Sequence, residues 1–97
     1  NMNKVVGVTK PIYELCRVLD EFEDEIEFSV FYSFAEILES HHYCPGFYFD
    51  GVYYEIQYDD KDCLQVVDFG INEREVFGNV LTEEQVIELT ENIKNGK

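Results

Sequence analysis

The sequence predicts a single α+β domain, in which two N-terminal helices and one C-terminal helix pack on a small antiparallel sheet of three to four strands. Two observations favour this fold. Aromatic and branched residues alternate with polar ones through residues 47–69, and three other segments place apolar residues at helical spacing. A length of 97 residues suits one compact domain, 1–97, and 45% apolar residues suffice for a core.

The segment 47–69 is interpreted as a meander of three strands. Asp50 and Gly51 form a hairpin signal, because a type I′ turn needs positive φ at both central positions and these residues tolerate it. Residues 59–62 form a second turn, rich in aspartates that bond their own backbone. A fourth short strand is predicted at 75–77, and residues 76–80 are predicted as a turn. Residues 4–8 are predicted as a short strand at an edge of the sheet.

The first and last helices have the most regular patterns. Residues 10–24 carry an apolar stripe at i, i+3, i+4, i+7 and i+10 from Ile12, and Thr9 suits the N-cap position. Residues 82–95 carry a similar stripe, and Thr82 is followed at the third position by a glutamine that completes a capping box.

The start of the second helix is clearly marked, but the segment that precedes it is ambiguous. Ser33 and Glu36 match the Ser-x-x-Glu capping box, which predicts a helix over at least residues 34–42. A proline and a glycine in 43–46 end it. Residues 25–32 fit a strand by their alternation, and they also fit an earlier start of this helix by their spacing.

Charge is the strongest constraint on function. Twenty-one Asp and Glu residues face seven Lys and Arg residues, which gives a formal net charge of −14. This charge disfavours direct binding to nucleic acid or to an anionic membrane surface, since both are negative. It favours a basic protein as partner, although the charge has a simpler interpretation as a device for solubility alone.

The chain shows no sign of export or membrane insertion. No stretch approaches the roughly 20 consecutive apolar residues of a membrane span, and no basic region with an apolar run marks a signal peptide. Three cysteines, an odd number without close spacing, favour reduced thiols over a disulfide framework. We therefore expect a cytoplasmic protein.

The densest charge lies in residues 20–27, which read DEFEDEIE and are called the acidic run below. Carboxylates at a helix C-terminus oppose the helix dipole, so the run is not arranged for helix stability. Phe22 and Ile26 interrupt it and are expected to anchor it to the body of the protein. We interpret the run as a negative surface held in fixed geometry; a merely solvated face is the alternative. The carboxylates predicted to contact a partner are Asp20, Glu21, Glu23, Asp24, Glu25 and Glu27.

A second acidic segment and one aromatic group extend the predicted surface. Asp59, Asp60 and Asp62 lie in the second turn and are predicted as further partner contacts. The aromatic residues of 47–58 are too many for one side of a small sheet, so some rings must lie on its other face. At least one ring is expected outside the core, that of Tyr48 or that of Tyr53, and both are predicted as candidate partner contacts because tyrosine is enriched at protein interfaces.

Patterns that would indicate a cofactor, a metal or catalysis are weak. His41 and His42 are adjacent, and neighbours on a helix point about 100° apart, so a shared zinc ion is not predicted. The 59–62 aspartates lack EF-hand spacing. Cys44 lies near His41, but acidic surroundings raise a thiol pKa rather than activate it. No phosphate-binding loop or hydrolase motif occurs. The protein is therefore predicted not to be an enzyme.

These features together favour a non-catalytic inhibitor of a basic protein that itself binds DNA or RNA. In size, charge and lack of a catalytic motif, the chain resembles phage-encoded anti-restriction or anti-CRISPR proteins, which mimic DNA, and immunity proteins that neutralise basic nuclease toxins. That resemblance implies a nuclease, a Cas effector or a toxin as partner. The alternative is an accessory protein that self-associates, as a homodimer, through an aromatic sheet face.

Overall fold

The computed structural model describes residues 7–71, 73 and 77–96, and it confirms the α+β class. The described strands form one antiparallel sheet in the order β1-β2-β3-β4-β5. One helix precedes the strands, one lies between β1 and β2 and one follows β5, so the two predicted N-terminal helices are separated by a strand. The elements in chain order are α1 (Lys10–Glu21), β1 (Glu27–Val30), α2 (Phe34–Glu39), β2 (Gly46–Phe49), β3 (Val52–Tyr58), β4 (Leu64–Ile71), β5 (Asn79–Val80) and α3 (Glu83–Lys94).

The predicted meander is present with both of its turns. Asp50 and Gly51 have φ of 54° and 81°, the positive values that a type I′ hairpin turn requires. Strands β2 and β3 pair across it, with Phe47 opposite Tyr54. In the second turn, the Asp59 carboxylate accepts hydrogen bonds from the backbone that follows, as the aspartate-rich sequence predicted.

The sheet has five strands in the described residues, one more than the upper limit of the prediction. Residues 27–30 form edge strand β1, which settles the ambiguity of 25–32 in favour of a strand. The predicted turn before residue 80 is wrong in part, since Asn79 and Val80 pair with β4 as β5. A strand of two residues carries no periodicity that the sequence could have revealed.

Two predicted strands fall mostly outside the described residues. Of the edge strand at 4–8, only Gly7 and Val8 are described, and Gly7 forms an isolated parallel bridge with Cys63. Of the strand at 75–77, only Phe77 is described, and it lies in a bend.

Helices α1 and α2 end three residues before their predicted ends. Helix α1 ends at Glu21 rather than 24, and Phe22 is its C-cap. Helix α2 ends at Glu39 rather than 42, because the Ser40 hydroxyl accepts a hydrogen bond from the backbone of His42 and so offers that segment an alternative to the helix. Helix α3 matches its prediction closely.

The predicted helix starts are all present, but they differ in chemistry. Ser33 and Thr82 each complete a reciprocal capping box with the third helical residue. Thr9 is the N-cap of α1 without a side-chain hydrogen bond to the helix.

The core lies between the helices and one face of the sheet. Phe47 and Ile56 from the sheet, and Leu15 from α1, are fully buried there. Helices α1 and α3 pack against each other over this face. The buried cluster comprises Ile12, Leu15, Cys16, Val18, Leu19, Ile37, Phe47, Ile56, Leu64, Val66, Val86, Leu89 and Ile93. No helix in the described part of the chain is long and apolar enough to cross a bilayer.

The opposite face of the sheet, called the outer face below, carries the other set of alternating side chains from β2, β3 and β4, including Tyr48, Tyr53 and Val67. Its own side chains cover part of this face. The Tyr53 ring crosses Gly46, where a Cβ atom would overlap the tyrosine hydroxyl, and that hydroxyl lies 3.0 Å from the hydroxyl of Ser29. Tyr53 is consequently only 7% exposed.

Candidate protein-binding site at the acidic end

The acidic run folds as a compact turn between α1 and β1. The backbone amides of Glu25 and Ile26 both donate to the carbonyl of Phe22, at 2.9 and 3.1 Å. The side chains of Phe22 and Ile26 are half-buried and pack against the core cluster, as the sequence predicted. The run is thus fixed at two points, and its charged side chains lie between and beside them.

The carboxylates of the run have no cationic partner among the residues that the structure describes. All six residues are exposed. The two described ion pairs join His41 to Asp62 at 3.4 Å and Lys94 to Glu91 at 3.6 Å, and neither involves the run. Their charge is therefore available to a partner rather than consumed within the fold.

Asp20 is the one residue of the run whose carboxylate accepts a described hydrogen bond. Its carboxylate accepts a hydrogen bond of 3.4 Å from the backbone amide of Phe34, at the start of α2. Burial raises the pKa of Asp20, against the lowering effect of this hydrogen bond, and the nearby charge of Glu36 raises it further. The folded protein therefore stabilises the ionised form of Asp20 less well than water does.

A groove of about 540 Å³ opens beside the run. Its apolar members are buried or half-buried, while its carboxylates, from Glu25, Glu27 and Asp50, are exposed. Lys94 also lines it, although the ammonium of Lys94 lies beside Glu91. The full lining is Phe22, Glu25, Ile26, Glu27, Tyr48, Phe49, Asp50, Ile93, Lys94, Asn95 and Gly96. We call this groove, together with the acidic run, the acidic end.

Two helices end at this groove. Phe22 is the C-cap of α1 and Asn95 is the C-cap of α3, and both line it. A helix C-terminus carries the partial negative charge of its unpaired carbonyl groups. The helix dipoles therefore add to the negative potential of the carboxylates, and the site favours a positively charged group.

Tyr48 connects the groove with the outer face of the sheet. It lines the groove, it lies opposite Glu27 in the β1–β2 pairing, and its ring packs against that of Tyr53 with centroids 4.9 Å apart. Its hydroxyl donates a hydrogen bond to the Glu73 carboxylate, which is the main reason that the pKa of Tyr48 is raised to about 12. Tyr48 is half-exposed, whereas Tyr53 offers little area to a partner.

The second acidic segment does not join this site. Residues 50–51 and 59–62 lie at opposite ends of β3, whose seven residues span roughly 20 Å at about 3.3 Å each. The Asp59 carboxylate accepts hydrogen bonds from the amides of Lys61 and Cys63 at 2.8 and 3.0 Å, which lower its pKa. Asp60 is exposed, and Asp62 contacts His41.

The histidine and cysteine cluster forms local contacts. The His41 ring stacks on Tyr58 with centroids 4.1 Å apart, and the Cys44 thiol donates to the His41 carbonyl. Burial raises the pKa of the Cys44 thiol, and it raises that of Cys16 to about 12. The described residues hold no group of three or more potential metal ligands. The three cysteines are free thiols.

Sequence reasoning missed the parts of the groove that come from distant segments. Asp50 was recognised only as a turn residue, and Phe49 only as a strand residue. Ile93 and Asn95 belong to the last helix, whose capping pattern says nothing of what its C-terminus approaches. No signal in the sequence joins these three segments, since the tertiary fold alone brings them together.

Comparisons with protein-family models, with curated proteins and with solved structures found no match for this chain in any of the three.

Proposed function

We propose that this protein is a non-catalytic binding protein that inhibits a basic, nucleic-acid-binding protein by docking its acidic end against that protein. The observation that carries the proposal is the anchored turn of the acidic run. Phe22 and Ile26 hold it against the core, and its carboxylates have no cationic partner within the described ranges.

The physical basis is mimicry of a phosphate backbone. A site built for DNA or RNA presents lysine and arginine side chains, and carboxylates on a rigid scaffold can occupy the positions that phosphates would take. Charge complementarity of this kind accelerates association and makes it sensitive to salt. Anti-restriction proteins, anti-CRISPR proteins and immunity proteins against nuclease toxins act on partners of this class, which places the proposed role in the cytoplasm of a phage-infected or toxin-producing cell.

The alternative role is self-association through the outer face, with charge serving solubility alone. It is favoured by three exposed apolar side chains in or near β4, Ile71 at 61% exposure, Phe77 at 86% and Val80 at 54%. The sheet edges offer no second route to self-association. Strand β1 has four residues with an irregular register, and β5 has two, so neither described edge offers a long template for pairing.

The test is capture of partners from a host lysate at low salt, followed by elution in a salt gradient. The native protein is compared with the charge-reversed variant Glu21→Lys/Glu23→Lys/Glu25→Lys. The matched control is Glu39→Lys/Asp60→Lys/Glu88→Lys, which makes the same change in net charge at exposed positions outside the acidic end.

The proposal expects a basic nuclease or nucleic-acid-binding protein to be retained by the native chain and by the control, and lost by the acidic-run variant. Equal retention by both variants, or retention of no basic protein, would contradict it. The self-association alternative predicts instead a size that grows with concentration in sedimentation and that does not respond to salt.

A further inference from the structure

We propose that the groove of the acidic end binds an arginine side chain of the basic partner. This inference rests on the proposed function and specifies which chemical group of the partner occupies which part of the site. It depends on the groove rather than on the number of carboxylates, because a charged surface without a cavity would attract lysine and arginine alike.

The shape and lining of the groove suit a long side chain with a cationic head. Phe22 and Ile26, which are half-buried, offer apolar contact to a methylene stem, while Glu25 and Glu27 stand exposed beside them. Long cationic side chains bury their stems in this manner and keep their charged heads among polar groups. A volume of about 540 Å³ lies within the range of roughly 300–1,000 Å³ that is typical of small-ligand sites.

Arginine fits the lining better than lysine does. Tyr48 and Phe49 line the groove, and a planar guanidinium stacks on aromatic faces. Its forked N–H groups also bond carboxylates in pairs, and the groove offers the carboxylates of Glu25, Glu27 and Asp50. A lysine ammonium is a compact, strongly hydrated charge that gains less from aromatic rings and forks.

The charge balance of the groove supports a cationic occupant. Three carboxylates line it, and the one ammonium, that of Lys94, is already 3.6 Å from the Glu91 carboxylate. The C-terminal ends of α1 and α3 add partial negative charge at the same place. A guanidinium entering the groove would therefore meet acceptors that the described residues leave without a cation.

The test is a titration of the ¹⁵N-labelled full chain with the peptide acetyl-Gly-Arg-Gly-amide, followed by amide chemical shifts. The same peptide with lysine tests preference, and the peptide with citrulline, which has the shape of arginine without its charge, tests electrostatics. We expect saturable shifts at the groove amides, an affinity for the arginine peptide about fivefold higher than for the lysine peptide, and no saturable shift with citrulline.

Two variants locate the binding. Asp50→Asn removes a groove carboxylate but keeps the turn, because asparagine tolerates the φ of 54° at this position. Glu27→Gln removes another. Each should weaken the arginine peptide about fivefold, and the control Asp60→Asn, which removes one carboxylate from the far end of β3, should leave it unchanged. Circular dichroism of each variant checks that it is folded.

Shifts spread evenly over both acidic segments, equal affinity for the arginine and lysine peptides, or equal effects of Asp50→Asn and Asp60→Asn would overturn the inference. If these results occur while the acidic run still controls capture of a basic protein, the groove assignment fails and the proposed function stands. If the arginine peptide binds as expected but no basic protein is captured, the proposed function fails and the groove remains a guanidinium site.

Discussion

The molecule contains two acidic segments of similar composition whose carboxylates differ in how far they contact the rest of the fold. In the turn at 59–62, the Asp59 carboxylate accepts hydrogen bonds from two backbone amides, and Asp62 lies 3.4 Å from His41. In the acidic run at 20–27, the described contacts are made by the apolar side chains Phe22 and Ile26 and, among the carboxylates, by Asp20 alone.

The difference teaches that acidic density in a sequence does not by itself indicate a surface for a partner. A carboxylate that satisfies backbone amides is part of the fold, and its pKa falls, as that of Asp59 does. A carboxylate that the fold leaves without partners adds repulsion and contributes no such stabilisation. The acidic run belongs mainly to the second kind.

Removal of an anchor of the acidic run should produce the largest change in stability. Phe22→Ala deletes a half-buried ring that packs on the core, and we expect the free energy of unfolding to fall by about 2 kcal/mol. Chemical denaturation measures this. The control Phe77→Ala removes a ring that is 86% exposed and should have little effect. Equal, small effects of both would mean that the run is not anchored.

Asp59→Ala should lower the melting temperature at neutral pH, whereas Asp60→Ala should not. The substitution of Asp59 removes the acceptor of two backbone amides, whereas the side chain of Asp60 makes no described hydrogen bond. Because the folded pKa of Asp59 lies below its ordinary value of 3.8, its stabilisation is present above that pH and disappears as the pH falls through the folded pKa. Thermal melts at pH 7 and in strong acid check both statements, and identical melts of the two variants would contradict them.

The effect of Asp20→Asn on stability should be opposite in sign to that of Asp59→Ala, and it should be smaller. Burial raises the pKa of Asp20 in the folded state, so its ionisation costs stability as the pH rises past 3.8. Its charge also opposes the dipole at the end of α1. Asparagine keeps an oxygen for the Phe34 amide. We expect a gain of about 0.5 kcal/mol at pH 7, which vanishes at acid pH, where Asp20 is protonated in both states. A loss of stability at pH 7 would show that the carboxylate supports the fold.

Salt should stabilise the native protein modestly. With a net charge of −14, self-repulsion lowers stability at low ionic strength, and added ions screen it. We expect the melting temperature to rise as NaCl increases from low to moderate concentration. A flat or falling curve would indicate that the carboxylates are paired or too scattered to repel one another. It would thereby weaken the contrast between the acidic run and the turn at 59–62.

Most of the fold was readable because its signals are local. The capping boxes at Ser33 and Thr82 and the Asp50-Gly51 turn each depend on residues close in sequence, and all three are present. Strands β1 and β5 were missed or left open because their formation depends on pairing with β2 and β4, and short segments carry too little pattern to reveal such partners.

The candidate site likewise has parts that could be predicted from the sequence and parts that could not. The anchors Phe22 and Ile26 could be inferred from their positions within the acidic run. The groove could not, because it joins the end of α1, the first hairpin turn and the end of α3, which are far apart in the chain. The distance between residues 59–62 and the run could not be predicted either, because sequence alone does not say which of the two predicted turns lies beside the run.

The most direct test of the central claim measures the affinity of the captured basic partner for two charge-matched variants at several salt concentrations, by calorimetry. The variants are Glu21→Gln/Glu23→Gln/Glu25→Gln in the acidic run and Glu39→Gln/Asp60→Asn/Glu88→Gln outside the acidic end. We predict that the first weakens binding at least about tenfold and flattens its salt dependence, while the second leaves both nearly unchanged. Equal losses in the two variants would contradict the claim, because net charge rather than the acidic end would then govern binding.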